Sequence, residues 1–458
     1  MLCYIHRMSS GGWGTNTENH LHIILGGRIM KRNVRHTLRV LSLAAASALL
    51  LAGCSGGGDA SEGGDSAGSV TLKIWVQSTN QPEYFQWVKE EFESQNEGIK
   101  LKIEPQAQGS LGDSLDVTLG GDDAPDIVAT WGGLVASKLY KGNRIIEISD
   151  VITDEVEKNF VEAATYNKMD GDGKYVSLPL AGFVSPVIYY NKTQFDALGL
   201  KVPTTYEELK DVAAKIRAAS KQPLIAGFST WHLPHFMQAI HARTMTPENF
   251  NKLIGTPTDY NPYEQPGFKE GFDLLKKYND DKIFADNITG YDANMAQMEF
   301  IAQNALMMTS PSLDLMTLND ATNFELGAFL LPAGEVDGPL ASGVYSDVLA
   351  INANSKHIPE CKKLFEFLLT PEAQAKLLEF ELLPIRKDVD ISSANPVLTD
   401  VIKAINEGGV SGFYQSYSAS GIDVQLLNAG SSLLTGKSDS AAAAKSVADY
   451  YKSNVMDK

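Results

Sequence analysis

The chain has 458 residues, 43% hydrophobic and 9% aromatic, enough for at least two cores, since a single core rarely grows past about 250 to 300 residues. Its formal net charge of −17 argues against a nucleic-acid partner, because phosphate binding needs clustered Lys and Arg and no basic stripe crosses the body of the chain. Three cysteines, Cys3, Cys54 and Cys361, do not make a disulfide framework.

The basic residues that do cluster come early: Lys31, Arg32, Arg35 and Arg39 lead into an apolar run from Val40 to Ala52 that ends in Leu51-Ala52-Gly53-Cys54. A positive start, a short apolar stretch and small residues at the cut give residues 30–53 the layout of an export signal, too short for a membrane span. Residues 1–29 precede an already complete signal and read as an over-extended reading frame, with Met30 as the start. The Leu-Ala-Gly-Cys ending resembles the bacterial lipobox, which implies that Cys54 becomes the lipidated N-terminus. Removing residues 1–53 takes away six basic groups and one acid, leaving 33 basic against 55 acidic groups and a net charge of −22. Cys361 is then alone in a helical pattern and reads as a packed core thiol.

Residues 54–69, dominated by Gly, Ser, Asp and Ala, form a flexible tether, and folded sequence begins at Val70. Val70–Val76 carries a strand pattern, Phe85, Val88 and Phe92 recur at helical spacing, Ile99–Ile103 alternates as a second strand, Leu111, Leu115 and Leu119 line a second helix, and Asp126–Ala129 is a third strand. This alternation predicts a mostly parallel sheet with helices on its faces. Tyr175–Lys192 follows, with strand-like runs at Tyr175–Leu178 and Val187–Tyr190 separated by Pro179, Gly182 and Pro186, and reads as a hinge between two lobes. Past it the same grammar resumes. Thr204 and Thr205 each precede a Glu by three residues, a capping-box signature for the helix that Leu209, Ala213 and Ile216 continue. Strands are expected at Pro223–Gly227, Ala305–Thr309, Phe324–Leu330 and Asp347–Ile351, and helices at Phe236–Ile240, Phe268–Tyr278, Met295–Ile301, Ile358–Leu369, Pro396–Asn406, Val424–Leu434 and Ala441–Tyr451. Met295, Met298, Met307 and Met308 read as core fillers.

The order of motifs resembles the extracellular solute-binding proteins of ABC importers, specifically the maltose-binding-protein-like family that binds sugars. It is carried by the lipobox, Phe92–Ile103, Pro125–Gly133, Leu178-Pro179 with Tyr189–Lys192, Val202–Leu209, Asn304–Ser312, Ala350–Gln374 and Leu383–Lys387. The resemblance implies a two-lobed, class II periplasmic-binding-protein-like α/β fold with interleaved segments: residues 70–182 and 343–395 in lobe one, 183–342 and 396–458 in lobe two. It further implies a monomer that closes around a carbohydrate, delivers it to the transmembrane subunits of an ABC permease, needs no cofactor, and is lipid-anchored through Cys54 to the outer face of the cell membrane.

Site candidates follow from that frame. Trp131 leaves a strand at its C-terminal end, where open α/β sheets place ligands, and an indole can stack on the C–H face of a pyranose. Trp231 and His232 hold the equivalent place in lobe two, and Phe183 and Ser185 lie at the crossing. Of Tyr189 and Tyr190, which alternate, only one can face inward. Asn80 and Asp347 sit at strand ends where they could bond hydroxyls. Ser310 and Ser312 replace an aromatic often found in lobe two, and Asp423 stands nearest another in the C-terminal region, so the resemblance does not extend to long maltodextrins. A metal at His232, His235 and His241 is disfavoured because Pro234 should interrupt the helix that would align them. Asp170-Gly171-Asp172-Gly173 reads as a hairpin turn, since a calcium loop would need an acid where Ala181 stands, and Asp122, Asp123 and Asp126 read as a solvated loop. The competing readings are a secreted glycan-active enzyme and a receptor for another polar solute: a polyol, a polyamine or a metal.

Overall fold

The computed structural model describes residues 69–78, 81–107, 110–112, 114–332, 341–344, 347–408 and 410–457. The export segment, Cys54, residues 55–68 and Asn80 lie outside the described residues. The first segments are β1 (Val70–Gln77), α1 (Pro82–Gln95), β2 (Ile99–Gln106), β3 (Ile127–Trp131) and α2 (Leu134–Lys141). α1 buries Tyr84, Phe85, Val88 and Phe92 along one face, and Phe92 meets Phe367 edge-on with ring centroids 5.6 Å apart. Leu111, Leu115 and Leu119 are fully buried, but only Leu115–Thr118 is helical. Gly112, Gly120 and Gly121 bracket that turn, and each glycine weakens a helix interior by about 1 kcal/mol.

Three short strands follow: β4 (Leu178–Pro179), β5 (Phe183–Val184) and β6 (Val187–Asn191). The strand expected at Tyr175–Leu178 shrinks to β4 because Tyr175 bonds elsewhere: its carbonyl accepts from Ile148 N at 2.7 Å and its N–H donates to Ser149 Oγ at 3.2 Å. The run Asp170–Gly173, expected as a hairpin turn, instead closes a 3₁₀ helix, Tyr166–Gly171, whose last two residues are Asp170 and Gly171, and Asp172 pairs with Lys141 at 3.9 Å. Asp126 is structural: its carboxylate accepts from Lys73 N at 2.9 Å and from Ser355 Oγ at 2.6 Å.

Next come α3 (Tyr206–Ala218), β7 (Gln222–Ile225), α4 (His232–Thr244), α5 (Phe268–Asp280), α6 (Ala293–Ile301), β8 (Ala305–Ser310) and β9 (Leu326–Phe329). Of the two capping registers, Thr205 with Glu208 forms the reciprocal box. Met307 and Met308 are buried in β8, but Met295 and Met298 are 42% and 62% exposed, because α6 turns Ala296 and Phe300 to the core instead. The chain ends with β10 (Ala341–Val344), β11 (Asp347–Ile351), α7 (Ile358–Leu368), α8 (Pro396–Gly408), β12 (Val410–Ser411), α9 (Ile422–Leu434) and α10 (Ser440–Tyr451).

Two main sheets result, ordered β2-β1-β3-β11-β4 and β7-β8-β6-β9, with a small third, β12-β10-β5. One strand in each main sheet is reversed: β11 is antiparallel to β3 and β4, and β6 to β8 and β9. The connectivity explains both. β6 follows the small-sheet strand β5 and β11 follows β10, so each begins beside the C-terminal end of a neighbour: Val187 opposite Ser310, Asp347 opposite Trp131. A chain entering a sheet at that end must run against it.

The apolar residues fall into two large clusters. One holds Leu72, Ile74, Val128, Leu349 and Phe365; the other holds Ile188, Leu224, Phe236, Met307 and Leu426. Along the chain the first runs to Ala181 and the second begins at Val184, and Ile385 is the last residue of the first. Cys361 is fully buried in the first cluster, and burial pushes its thiol up to about 12, which keeps it un-ionised and inert as a nucleophile.

Candidate functional site

The first sheet presents three side chains at one end: Gln77 closes β1, Trp131 closes β3 and Asp347 opens β11 opposite Trp131. Trp131 and Asp347 are half-buried and Gln77 is buried. Loss of hydration pushes the Asp347 carboxyl up to about 6, and the Gln77 amide beside it offsets part of that rise. Gly112 leaves room for the indole, since a Cβ there would stand 3.0 Å from Trp131 Cζ3.

At the matching end of the second sheet, β7 runs into Ser229-Thr230-Trp231 and then α4. Trp231 is 47% exposed, whereas His232 is only 6% exposed and its ring meets the indole edge-on with centroids 4.1 Å apart. Burial holds His232 down to about 4, and His235 well below the usual imidazole range through burial and then the neighbouring His232. Both are therefore neutral at neutral pH. The metal argument from Pro234 needs correction: α4 starts at His232, so Pro234 lies in its first turn, where no intrahelical bond is lost. The histidines still do not converge, because His235 Nδ1 lies 2.9 Å from Ser185 Oγ and His241 bonds Tyr414 OH and the Phe268 carbonyl at 3.2 and 3.1 Å. Among the described residues no group of three His, Cys, Asp or Glu is placed to hold a metal.

Between the sheets, Phe183 packs with Phe413 and Leu313, and the His235 ring meets Phe413 at 4.5 Å and Trp231 at 4.7 Å. Ser185, Trp231, His232, His235, Phe183 and Phe413 thus form one contiguous group. Ser312 joins it from below, its hydroxyl accepting from Val184 N at 3.1 Å. Ser310 donates to the Asp314 carboxylate, so both serines brace the crossing. Tyr189 is buried and donates to the Pro311 and Ser312 carbonyls at 3.2 and 3.3 Å, while Tyr190 packs on Phe195. Asp423 is exposed in the first turn of α9, and no described contact joins it to the group.

Sequence reasoning missed Gln77, His235 and the segment Gly412–Ser418. Gln77 obeys the same end-of-strand rule that selected Trp131. The C-terminal segment carried no local signal, yet it touches both sides: Gln238 donates to the Gly412 carbonyl at 3.0 Å and Gln415 to the Pro234 carbonyl at 2.5 Å, while Tyr417 OH donates to Asn167 Oδ1 at 3.2 Å. Gly133 must be glycine for this approach, because its φ is +74° and a Cβ would stand 1.8 Å from the Ser416 carbonyl oxygen. Beside that contact lies a cavity of about 200 Å³ bounded by Gly133, Leu134, Ser137, Lys141 and Asp172 on one side and Gly255, Thr256 and Tyr417 on the other.

Two α/β cores joined by a crossing, with an indole and polar groups at one end of each sheet, define a two-lobed architecture of the kind that binds solutes. The chain belongs to the bacterial extracellular solute-binding proteins, whose family model matches residues 76–375. It is 25% identical over 352 residues to a multiple sugar-binding protein of Streptococcus mutans, covering 76% of this chain and 81% of the relative. It is 24% identical over 343 residues to the diacetylchitobiose-binding protein of Streptomyces coelicolor, covering 70% and 75%. Among solved structures, the raffinose complex of RafE, known from Streptococcus pneumoniae, is similar with a TM-score of 0.65 at 20% identity, covering 85% of this chain and all of that one.

Proposed function

We propose that this chain captures a neutral carbohydrate, a mono- or short oligosaccharide, between its two lobes and delivers it to the transmembrane subunits of an ABC importer. The observation that carries the reading is an indole beside polar groups at one end of each main sheet: half-buried Trp131 beside Asp347 and Gln77, and exposed Trp231 beside His232 and His235, the latter bonded to Ser185. Two aromatic faces take the C–H faces of a sugar while neutral imidazoles, a hydroxyl and an amide take its hydroxyls. The names of the relatives support a sugar. Residues 70–182 with 343–395 form one lobe and 183–342 with 396–458 the other; Cys54 anchors a monomer to the outer face of the membrane, and the protein binds without turning its ligand over.

A thermal-shift and calorimetric panel of maltose, raffinose, diacetylchitobiose and xylobiose tests this. One sugar should raise the Tm in proportion to the logarithm of its concentration, with the sugar recovered intact. Hydrolysed product would favour the glycan-active enzyme. Replacing Trp131 or Trp231 with Ala should weaken binding at least about 10-fold, as expected for a buried aromatic anchor.

A further inference from the structure

Residues 412–418 touch both cores, and the two sides hold them very unequally. On the side of the second core, Gln238 donates to the Gly412 carbonyl at 3.0 Å, Gln415 to the Pro234 carbonyl at 2.5 Å and Gly255 N to the Tyr417 carbonyl at 2.9 Å. Tyr414 OH bonds His241 Nδ1 at 3.2 Å, Tyr263 OH bonds Ser418 Oγ at 2.5 Å, and the Tyr414 ring is fully buried in that core. On the side of the first core, Tyr417 OH donates to Asn167 Oδ1 at 3.2 Å, the Tyr166 ring lies against Gly412, and Ser416 meets Gly133. Beyond those contacts the surfaces part around the cavity of about 200 Å³, with Leu134, Ser137 and Lys141 on one wall and Gly255 and Thr256 on the other. Atoms that face a void gain no dispersion attraction across it, so this is the side that separates first.

We propose that residues 413–417 are a clasp that holds part of the ligand-free molecules closed: an arm fixed to the second core grips the first through Ser416 and Tyr417, and so sets how much closed protein a ligand meets. The arm leaves the small sheet β12-β10-β5 directly, since Val410 and Ser411 form β12. Its grip lies toward the site, because Gly133 stands two residues past Trp131 at the end of β3. Swinging the site ends apart about the small sheet therefore breaks the grip, and bringing them together makes it. Every group in the grip belongs to the protein, so closing it needs no ligand. One hydrogen bond and one close approach shift an equilibrium by about 2- to 10-fold. That is enough to bias the resting state without shutting the cleft before a ligand enters. A closed fraction present beforehand raises apparent affinity in proportion. The clasp rests on the two-lobed fold, and only its effect on affinity rests on the carbohydrate reading.

The test places nitroxides at Val117→Cys and Met298→Cys in the full chain carrying Cys3→Ser and Cys54→Ser. These positions are 81% and 62% exposed, one in each segment flanking the crossing, and fully buried Cys361 stays unlabelled. Pulsed dipolar spectroscopy of the ligand-free protein should resolve two separations, the clasped one matching this structure. Tyr417→Phe should lower the ratio of clasped to open molecules by about 2- to 10-fold, the value of one hydrogen bond. Asn167→Ala should lower it as well, and the double variant should fall no further than the lower single variant, because both remove the same bond. Tyr206→Phe loses a bond to Asp281 Oδ2 of 2.7 Å away from the clasp and should leave the ratio unchanged. For a sugar that binds, the Kd of Tyr417→Phe should rise by the factor by which its clasped fraction falls. A single separation in the wild type, an equal ratio in Tyr417→Phe, additive losses in the double variant, an equal fall in Tyr206→Phe or an unchanged Kd overturns the clasp. The separations are read without ligand, so failure of the four sugars above to bind overturns the carbohydrate reading alone.

Discussion

Asp347 gives the protein a stability that depends on pH in an unusual direction. Its carboxyl is held up to about 6, so between the ordinary carboxylate pKa and that value the folded chain keeps a proton that the unfolded chain has lost. The contribution is fully present below about pH 4 and is lost as pH rises through about 6, the reverse of a salt-bridged aspartate. Asp347→Asn should therefore raise the Tm at pH 7.5, by the equivalent of about 3 kcal/mol at most for a shift of roughly two pKa units, and leave it unchanged at pH 3.5. Scanning fluorimetry at the two pH values checks this, and equal values at pH 7.5 would mean that the carboxyl is fully hydrated. If Asp347 also bonds the sugar, the same variant binds more weakly, the usual trade where strain is kept at a site. At this scale the sequence was legible where a residue stands at a strand end, as Trp131 closes β3 and Asp347 opens β11; the Trp231-His232 pair, which follows β7 past Ile225, was reached through the resemblance as well. It was not legible for Phe413, which reaches Phe183 and His235 through a turn with no periodic pattern, or for the state of His232, which depends on what covers its ring.

Elements carry the next level, and here local chemistry was readable while approach between elements was not. The capping box at α3 was legible because all of its bonds lie within four residues. Thr205→Ala should cost about 1 kcal/mol of stability, read as a lower urea midpoint at unchanged slope, and leave saccharide affinity untouched. Met295 and Met298 show the opposite case: their composition said core, but the face that α6 turns inward is decided by its neighbours. Gly133 gives the sharpest test of approach between elements. Its φ of +74° is nearly that of Gly436 at +71°, yet a Cβ on Gly133 would strike the Ser416 carbonyl whereas nothing lies within 4 Å at Gly436. Both alanine variants pay a positive-φ backbone penalty of about 1 to 3 kcal/mol, with Gly133 at ψ −134° in a region that glycine alone adopts readily. Gly436→Ala should thus lose stability alone, while Gly133→Ala should also push the 412–418 segment away from the end of β3 and weaken saccharide binding about 10-fold or more. Calorimetry on the pair separates strain from approach, and equal affinities would mean that the Ser416 contact has no part in binding.

For the molecule as a whole, the small third sheet limits how two cores joined through it can move relative to each other. β5, β10 and β12 come together in one small sheet, with Val184 opposite Gly343 and Ala341 opposite Val410, so the segments joining the two cores are bonded to one another instead of running as separate threads. A shared strap of that kind resists shear and twisting more than it resists bending, which leaves rotation about the strap as the soft motion. The strap continues into Phe183 and Ser185, and Ser185 is tied to His235 and through it to Trp231. Bending the strap therefore moves the lobe-two platform together with the floor of the cleft. Two outcomes are expected for a saccharide that thermal shift has shown to bind. Small-angle X-ray scattering should record a smaller radius of gyration on saturation, because closure brings two rigid bodies together. Ser185→Ala should lower affinity by about 2- to 10-fold, the value of one hydrogen bond of roughly 0.5 to 1.5 kcal/mol, with the apo Tm changing little, because the bond orients the platform more than it holds either core. An unchanged radius would show that the ligand enters a preformed cleft. An unchanged affinity in Ser185→Ala would show that the strap and the platform move independently.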